Sequence, residues 1–191
     1  MAFSDQTFGA STMRKTTVLP MLAACLVFAI PADAHGPTPQ KVDETVEIAA
    51  PPEKVWAVVK DFAGIAQWNP AVSRSTGEGG NSQGAHRTLV FANGEPLAED
   101  LDFYDEAGHE YRYRLRAPNV KALPASSYSA TLKLTPVDGK TSVSWKSRLY
   151  RGDTGNFPPD ELNDEAAVNA MRHLVRTGLD RLKQLLETAG R

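Results

Sequence analysis

Apolar and polar residues alternate over residues 41–49, with Val42, Val46 and Ile48 on one side and Asp43, Thr45 and Glu47 on the other. That two-residue period predicts a half-buried strand. Pro51-Pro52 ends it; Pro52 suits the first turn of a helix and Glu53 the positive end of its dipole. Val55, Trp56, Val59 and Phe62 then recur at helical spacing, residues 64–67 form a short segment, and Trp68-Asn69-Pro70 closes it. From Val72 onward strand patterns dominate, over residues 72–78, 86–92, 96–105, 109–117, 126–137 and 140–151. Gly77-Glu78-Gly79-Gly80, Ala92-Asn93-Gly94, Glu106-Ala107-Gly108 and Asp138-Gly139 supply hairpin turns between them. Residues 153–159 read as loop. One long helix is predicted from 160 to about 187, with Val168, Met171, Val175, Gly178, Leu182 and Leu185 on a continuous stripe. This order predicts an α+β domain in which a curved antiparallel sheet of about seven strands wraps around a long C-terminal helix.

Ahead of the domain, Arg14 and Lys15 precede an apolar run from Val18 to Ile30, and Ala32-Asp33-Ala34 follows with small residues. Positive start, apolar centre and small-residue end are the parts of a secretory signal peptide, cleaved after Ala34. Residues 1–12 carry one charge, Asp5, and fit poorly as its start, so Met13 is the expected natural beginning. Leu22-Ala23-Ala24-Cys25 resembles a lipoprotein motif, but Cys25 is followed by further apolar residues where such a motif turns polar. The domain boundaries are therefore 1–34 signal peptide, 35–40 a proline-containing leader, and 41–188 the folded domain. A periplasmic location follows.

Composition narrows the function. With 21 basic and 23 acidic residues the chain has a net charge of −2, unlike a general nucleic-acid binder. Its one cysteine lies in the signal segment, which removes thiol, disulfide and Cys-rich zinc chemistry from the mature chain. The histidines at 35, 86, 109 and 173 show no HExxH or close pairing. His35 would become the mature N-terminus, whose amine and imidazole together can chelate copper; no further ligand is positioned by sequence, and a flexible processed end is the plainer reading.

The segment PPEKVWAVVKDFAGIAQWNPAV after the first strand, with the element order, resembles the START-like (SRPBCC, polyketide cyclase/dehydrase-like) superfamily over residues 41–188. AHGPTPQKVDETVEI, VKDFAGIAQWNPAV, and SSYSATLKLTP followed by VSWKSRLYR resemble the MxaD-like periplasmic proteins of bacterial methanol oxidation. The resemblance implies a helix-grip fold. It also implies an accessory role supporting methanol dehydrogenase or its electron transfer to cytochrome c. No haem-attachment, quinone or calcium-loop motif is present, so no cofactor or metal is expected on this chain and the redox groups would belong to partners. Two alternatives stay open: a carrier of a hydrophobic small molecule or lipid, and a cyclase or dehydratase, for a fold that hosts both binders and enzymes.

The superfamily's apolar cavity lies between long helix and sheet. The residues expected to line it are Trp56, Trp68, Phe91, Tyr111, Tyr113, Tyr128 and Trp145, with Met171, Val175 and Gly178 from the helix. A mid-helix glycine costs roughly 1 kcal/mol relative to alanine, so Gly178 marks either ligand space or close helix–sheet packing. Acid–base candidates near such a cavity are His86, Glu99, His109, Tyr111, Tyr113 and Tyr128, without a compact pairing.

Alternation also sorts the outward side. If Tyr111, Tyr113 and Leu115 point inward, Arg112, Arg114 and Arg116 point outward; the same parity turns Lys133, Lys146 and Arg148 outward on the next strands. Six cations on one convex face, with no acid interleaved at the outward positions considered, predict a docking surface for an acidic partner. A solvated sheet face is the plainer alternative.

Overall fold

The computed structural model describes Met1 and residues 36–188; the expected signal segment with Cys25, and the expected mature N-terminus His35, lie outside the described residues. Strands β1 (Gln40–Ile48), β2 (Val72–Glu78), β3 (His86–Phe91), β4 (Pro96–Asp105), β5 (Glu110–Ala117), β6 (Ala125–Val137) and β7 (Lys140–Arg151) build one antiparallel sheet. Their spatial order is β1-β7-β6-β5-β4-β3-β2, so β2 to β7 form a meander and β1 closes onto the last strand. Helix α1 (Pro52–Val59) and a 3-10 helix (Phe62–Gln67) connect the two edge strands, and α2 (Asp164–Thr188) follows β7.

Local chemistry explains these boundaries. Pro51 and Pro52 open α1, and Val55, Trp56 and Val59 form its buried side. Phe62 belongs to the 3-10 helix, where the Asp61 carboxylate accepts the Ala63 N–H at 3.0 Å. Asp138 (φ 46°) and Gly139 (φ 76°) make the left-handed pair that a two-residue hairpin requires. Register shifts at Val72/Arg74, Ala98/Glu99, Leu101/Phe103 and Ala125/Ser127 are irregularities of the kind that bend strands, and they curve the sheet around α2.

The long helix starts later than its pattern predicts. Asp160–Leu162 is a separate 3-10 turn, and Asn163 is extended (φ −81°, ψ −179°). Its side chain accepts the Ala166 N–H at 2.9 Å, which makes it the N-cap of α2. Ala167, Met171, Leu174, Val175, Gly178, Leu179 and Leu182 form the buried stripe, while Val168 and Leu185 sit half-buried on its flanks.

Candidate functional site

Two charges stand on the concave side of the sheet. Inward parity places Ala85, Arg87 and Leu89 on β3 and its lead-in, and Leu97, Glu99 and Leu101 on β4, all buried. Arg87 Nε donates to Glu99 Oε2 at 2.5 Å, and Arg87 Nη1 donates to the Phe62 carbonyl at 2.6 Å. The guanidinium also lies 4.1 Å from the Phe62 ring centroid and 4.7 Å from that of Tyr113, within cation–π range. Tyr128 Oη donates to the other Glu99 oxygen at 2.5 Å, and Trp145 Nε1 donates to Tyr113 Oη at 2.9 Å. Arg87 Nη2 and the indole nitrogens of Trp56 and Trp68 are buried without a hydrogen-bond partner.

The electrostatics follow from burial and this pairing. Burial by itself lowers the Arg87 pKa, but Glu99 and the neighbouring tyrosines more than reverse this and hold the guanidinium charged. Burial pushes the Tyr111 hydroxyl up to about 12. Burial first and Glu99 second raise Tyr113 and Tyr128 well above the ordinary phenol value. These phenols are therefore neutral donors and acceptors at physiological pH, not bases. Both Glu99 oxygens are engaged within the protein.

Nine of the ten positions expected to line a cavity pack against one another in the core. Trp56, Trp68, Tyr111, Tyr113, Tyr128, Trp145, Met171, Val175 and Gly178 are all buried. Trp68 and Trp145 meet with ring centroids 5.6 Å apart, and Phe62 meets Tyr111 edge-on at 6.1 Å. At Gly178 a Cβ would stand 2.7 Å from Asn69 Nδ2 and 3.0 Å from Trp68 Cζ3, so the missing side chain serves close packing. Phe91, the tenth, lines a groove of about 390 Å³ at one end of the sheet, with Pro70, Ala71, Leu123, Ala170, His173 and Leu174 among its other walls.

The segregated positive face is corrected. Arg112 faces Glu110 at 3.6 Å and Lys133 reaches the same carboxylate at 3.0 Å. Arg114 is paired with Asp100 at 3.6 Å and with Asp102, Arg116 reaches Asp100 at 3.6 Å, and Arg148 meets Asp43 at 3.0 Å. Glu110 shares the outward parity of Arg112, and the aspartates come from the flanking strands β4 and β1. Lys146 alone of the six has no carboxylate within 4 Å among the described residues. The face is a lattice of alternating charge.

His86 lies 3.7 Å from Glu78, away from the buried pair. His109 occupies the β4–β5 turn at φ 49° and packs tilted against Trp56 with centroids 5.3 Å apart. Of the acid–base candidates, the structure joins only Glu99 and Tyr128 directly. Arg87 was not among the expected residues, although it interrupts an apolar alternation opposite Glu99 in the same hairpin.

Residues 39–187 match the model of a family described as polyketide cyclase/dehydrase and lipid transport. No curated protein matches the sequence. Among solved structures, the protein XoxI from Bacillus cereus is 23% identical with a TM-score of 0.66, over 79% of this chain and 98% of that one. A protein from Thermobifida fusca is 27% identical with a TM-score of 0.60, over 78% and 93%. Ara h 8.0201 is 16% identical with a TM-score of 0.60, over 79% and 99%, a likeness of fold.

Proposed function

Because the chain belongs to the polyketide cyclase/dehydrase and lipid transport family, we propose that it uses the family's frame for binding. On this reading it is an exported accessory protein of methanol oxidation, supporting methanol dehydrogenase or its electron transfer to cytochrome c by protein–protein contact. One observation carries the choice of binding over catalysis. The concave interior is occupied by its own aromatic rings around Arg87 and Glu99, and both carboxylate oxygens are already engaged. A substrate would find neither space nor an unengaged acid–base pair there.

The methanol-oxidation part is supported by the segments resembling MxaD-like proteins, and export by the pattern of residues 13–34. The test is methanol-dependent reduction of cytochrome c by purified dehydrogenase, with and without this protein, alongside sedimentation of the mixture. Faster reduction with a co-sedimenting complex is expected. Unchanged rates and no complex would overturn the reading.

A second reading is favoured by the end groove with its apolar walls: a carrier of a hydrophobic small molecule. Organic extraction of the purified protein followed by mass spectrometry separates the two. A stoichiometric apolar compound, lost when Leu123→Trp fills the groove, would favour the carrier.

A further inference from the structure

Three connections meet at the end of the sheet that holds the groove. Pairing of Val90 with Pro96, Ala98 with Ala117 and Ala125 with Arg151 brings together the β3–β4 turn, the β5–β6 loop and the segment leaving β7. The last of these presents Phe157 with 95% of its surface in water, far above any other large apolar residue between 36 and 188. Val120, on the β5–β6 loop, is also exposed.

This ring is held out by a braced segment. Arg151 Nε donates to the Asp153 carbonyl at 2.8 Å, Nη2 to the Gly155 carbonyl at 2.7 Å, and Nη1 meets Asp164 at 3.0 Å. Asp153 Oδ1 accepts the Gly155 N–H at 2.7 Å, and Asp153 N donates to the Leu162 carbonyl at 3.1 Å. Pro158 and Pro159 then fix the backbone beyond Phe157. A water-exposed aromatic ring presented on a braced loop is the form of an interface anchor.

Charge identifies the occupant. Asp160, Glu161 and Glu165 follow Phe157, are exposed, and have no cation within 4 Å among the described residues, whereas five of the six outward cations on the sheet are paired. An anionic bilayer would be repelled. A second copy, meeting this surface across a two-fold axis, would set acid against acid. We propose that Phe157, with Asp160, Glu161 and Glu165 beside it, anchors the protein on a partner protein whose surface is basic and pocketed for an aromatic ring. This rests on the reading that the chain acts through a protein partner, and it moves the docking surface from the sheet face to the loop end.

The test measures binding of the full mature chain to purified methanol dehydrogenase and to its cytochrome c, separately, across an ionic-strength series. Phe157→Ala should weaken binding at least about tenfold, mainly through faster dissociation, with thermal stability unchanged. Asp160→Lys with Glu161→Lys and Glu165→Lys should slow association about tenfold at low salt and flatten its salt dependence. Lys146→Glu should change neither. Wild-type binding that ignores both loop-end variants overturns this surface and leaves the partner reading standing. Failure of the wild type to bind either protein overturns both. Self-association abolished by Phe157→Ala would make a second copy the occupant and overturn the basic partner.

Discussion

Arg87 and Glu99 face each other across β3 and β4, Nε to Oε2 at 2.5 Å, each 1% exposed. Taking both charges out of water is costly, and the pair persists because Phe62, Tyr113 and Tyr128 complete its surroundings. Removing one member strands the other. Glu99→Leu should therefore cost about 3–5 kcal/mol in urea unfolding. The double variant Arg87→Met, Glu99→Leu should be more stable than Glu99→Leu alone. If the two single losses simply add, the charges are not coupled.

Gly178→Ala weighs two effects of opposite sign. Helix propensity gains about 1 kcal/mol, and overpacking costs about 1–3 kcal/mol. Packing wins here, because the new methyl meets Asn69 Nδ2 at 2.7 Å and Asn69 is held at both ends. Its Nδ2 donates to the Leu174 carbonyl at 3.1 Å, and its Oδ1 accepts from Ala71 at 3.1 Å. A net loss near about 1 kcal/mol is expected by chemical denaturation. A gain would show that Asn69 yields.

Alkaline pH should unfold the protein through its buried phenols. Burial raises Tyr111 from 10.0 to about 12, and it is the leading cause for Tyr113 and Tyr128 as well. A raised folded-state pKa gives stability that is complete below the unfolded value and lost as pH rises through the folded one. Stability should thus fall from about pH 10 to pH 12, as the unfolded chain ionises first. Phenolate absorbance and circular dichroism should change together over that window. Ionisation of these tyrosines well before unfolding would contradict their burial.

On the sheet's outer face, Arg114→Glu and Lys146→Glu should behave differently. The first sets a carboxylate against Asp100 and Asp102 and should destabilise by up to about 1 kcal/mol. The second breaks no ion pair but sets a carboxylate opposite the exposed Asp43 across β1 and β7, a screened like-charge contact that should cost about 0.5 kcal/mol or less. Equal effects in thermal unfolding would mean that the crossed ion pairs contribute nothing.

Much of the architecture was legible because both periodicities are clean. Strand patterning locates all seven strands within one residue, and Asp138-Gly139 declares its turn. The start of α2 was less so, since Asp160–Leu162 continues a helical composition and only the Asn163 cap breaks it. The site was read less well for a physical reason. Inward aromatics are the same residues whether they line a cavity or fill it, and only packing distances decide. The outer face differs from its expectation because Glu110 opens β5 at the same outward parity as Arg112, and because β4 and β1 bring Asp100, Asp102 and Asp43 alongside the other cations. Arg87 and Glu99 were discoverable: both stand at inward positions, and the hairpin at Asn93-Gly94 sets them opposite.

Asn69 joins the segment before β2 to a carbonyl in the middle of α2, at the turn where Gly178 lets Trp68 approach. The long helix is thereby pinned at its waist. It cannot slide along its axis or swing away from the sheet without breaking a buried hydrogen bond and opening a void beside an indole. Slow opening is therefore expected at the ends of the domain before its centre, with amide protons near the pinned turn among the last to exchange. Any visitor, whether a small molecule or a neighbouring protein, meets a frame that does not open through its centre.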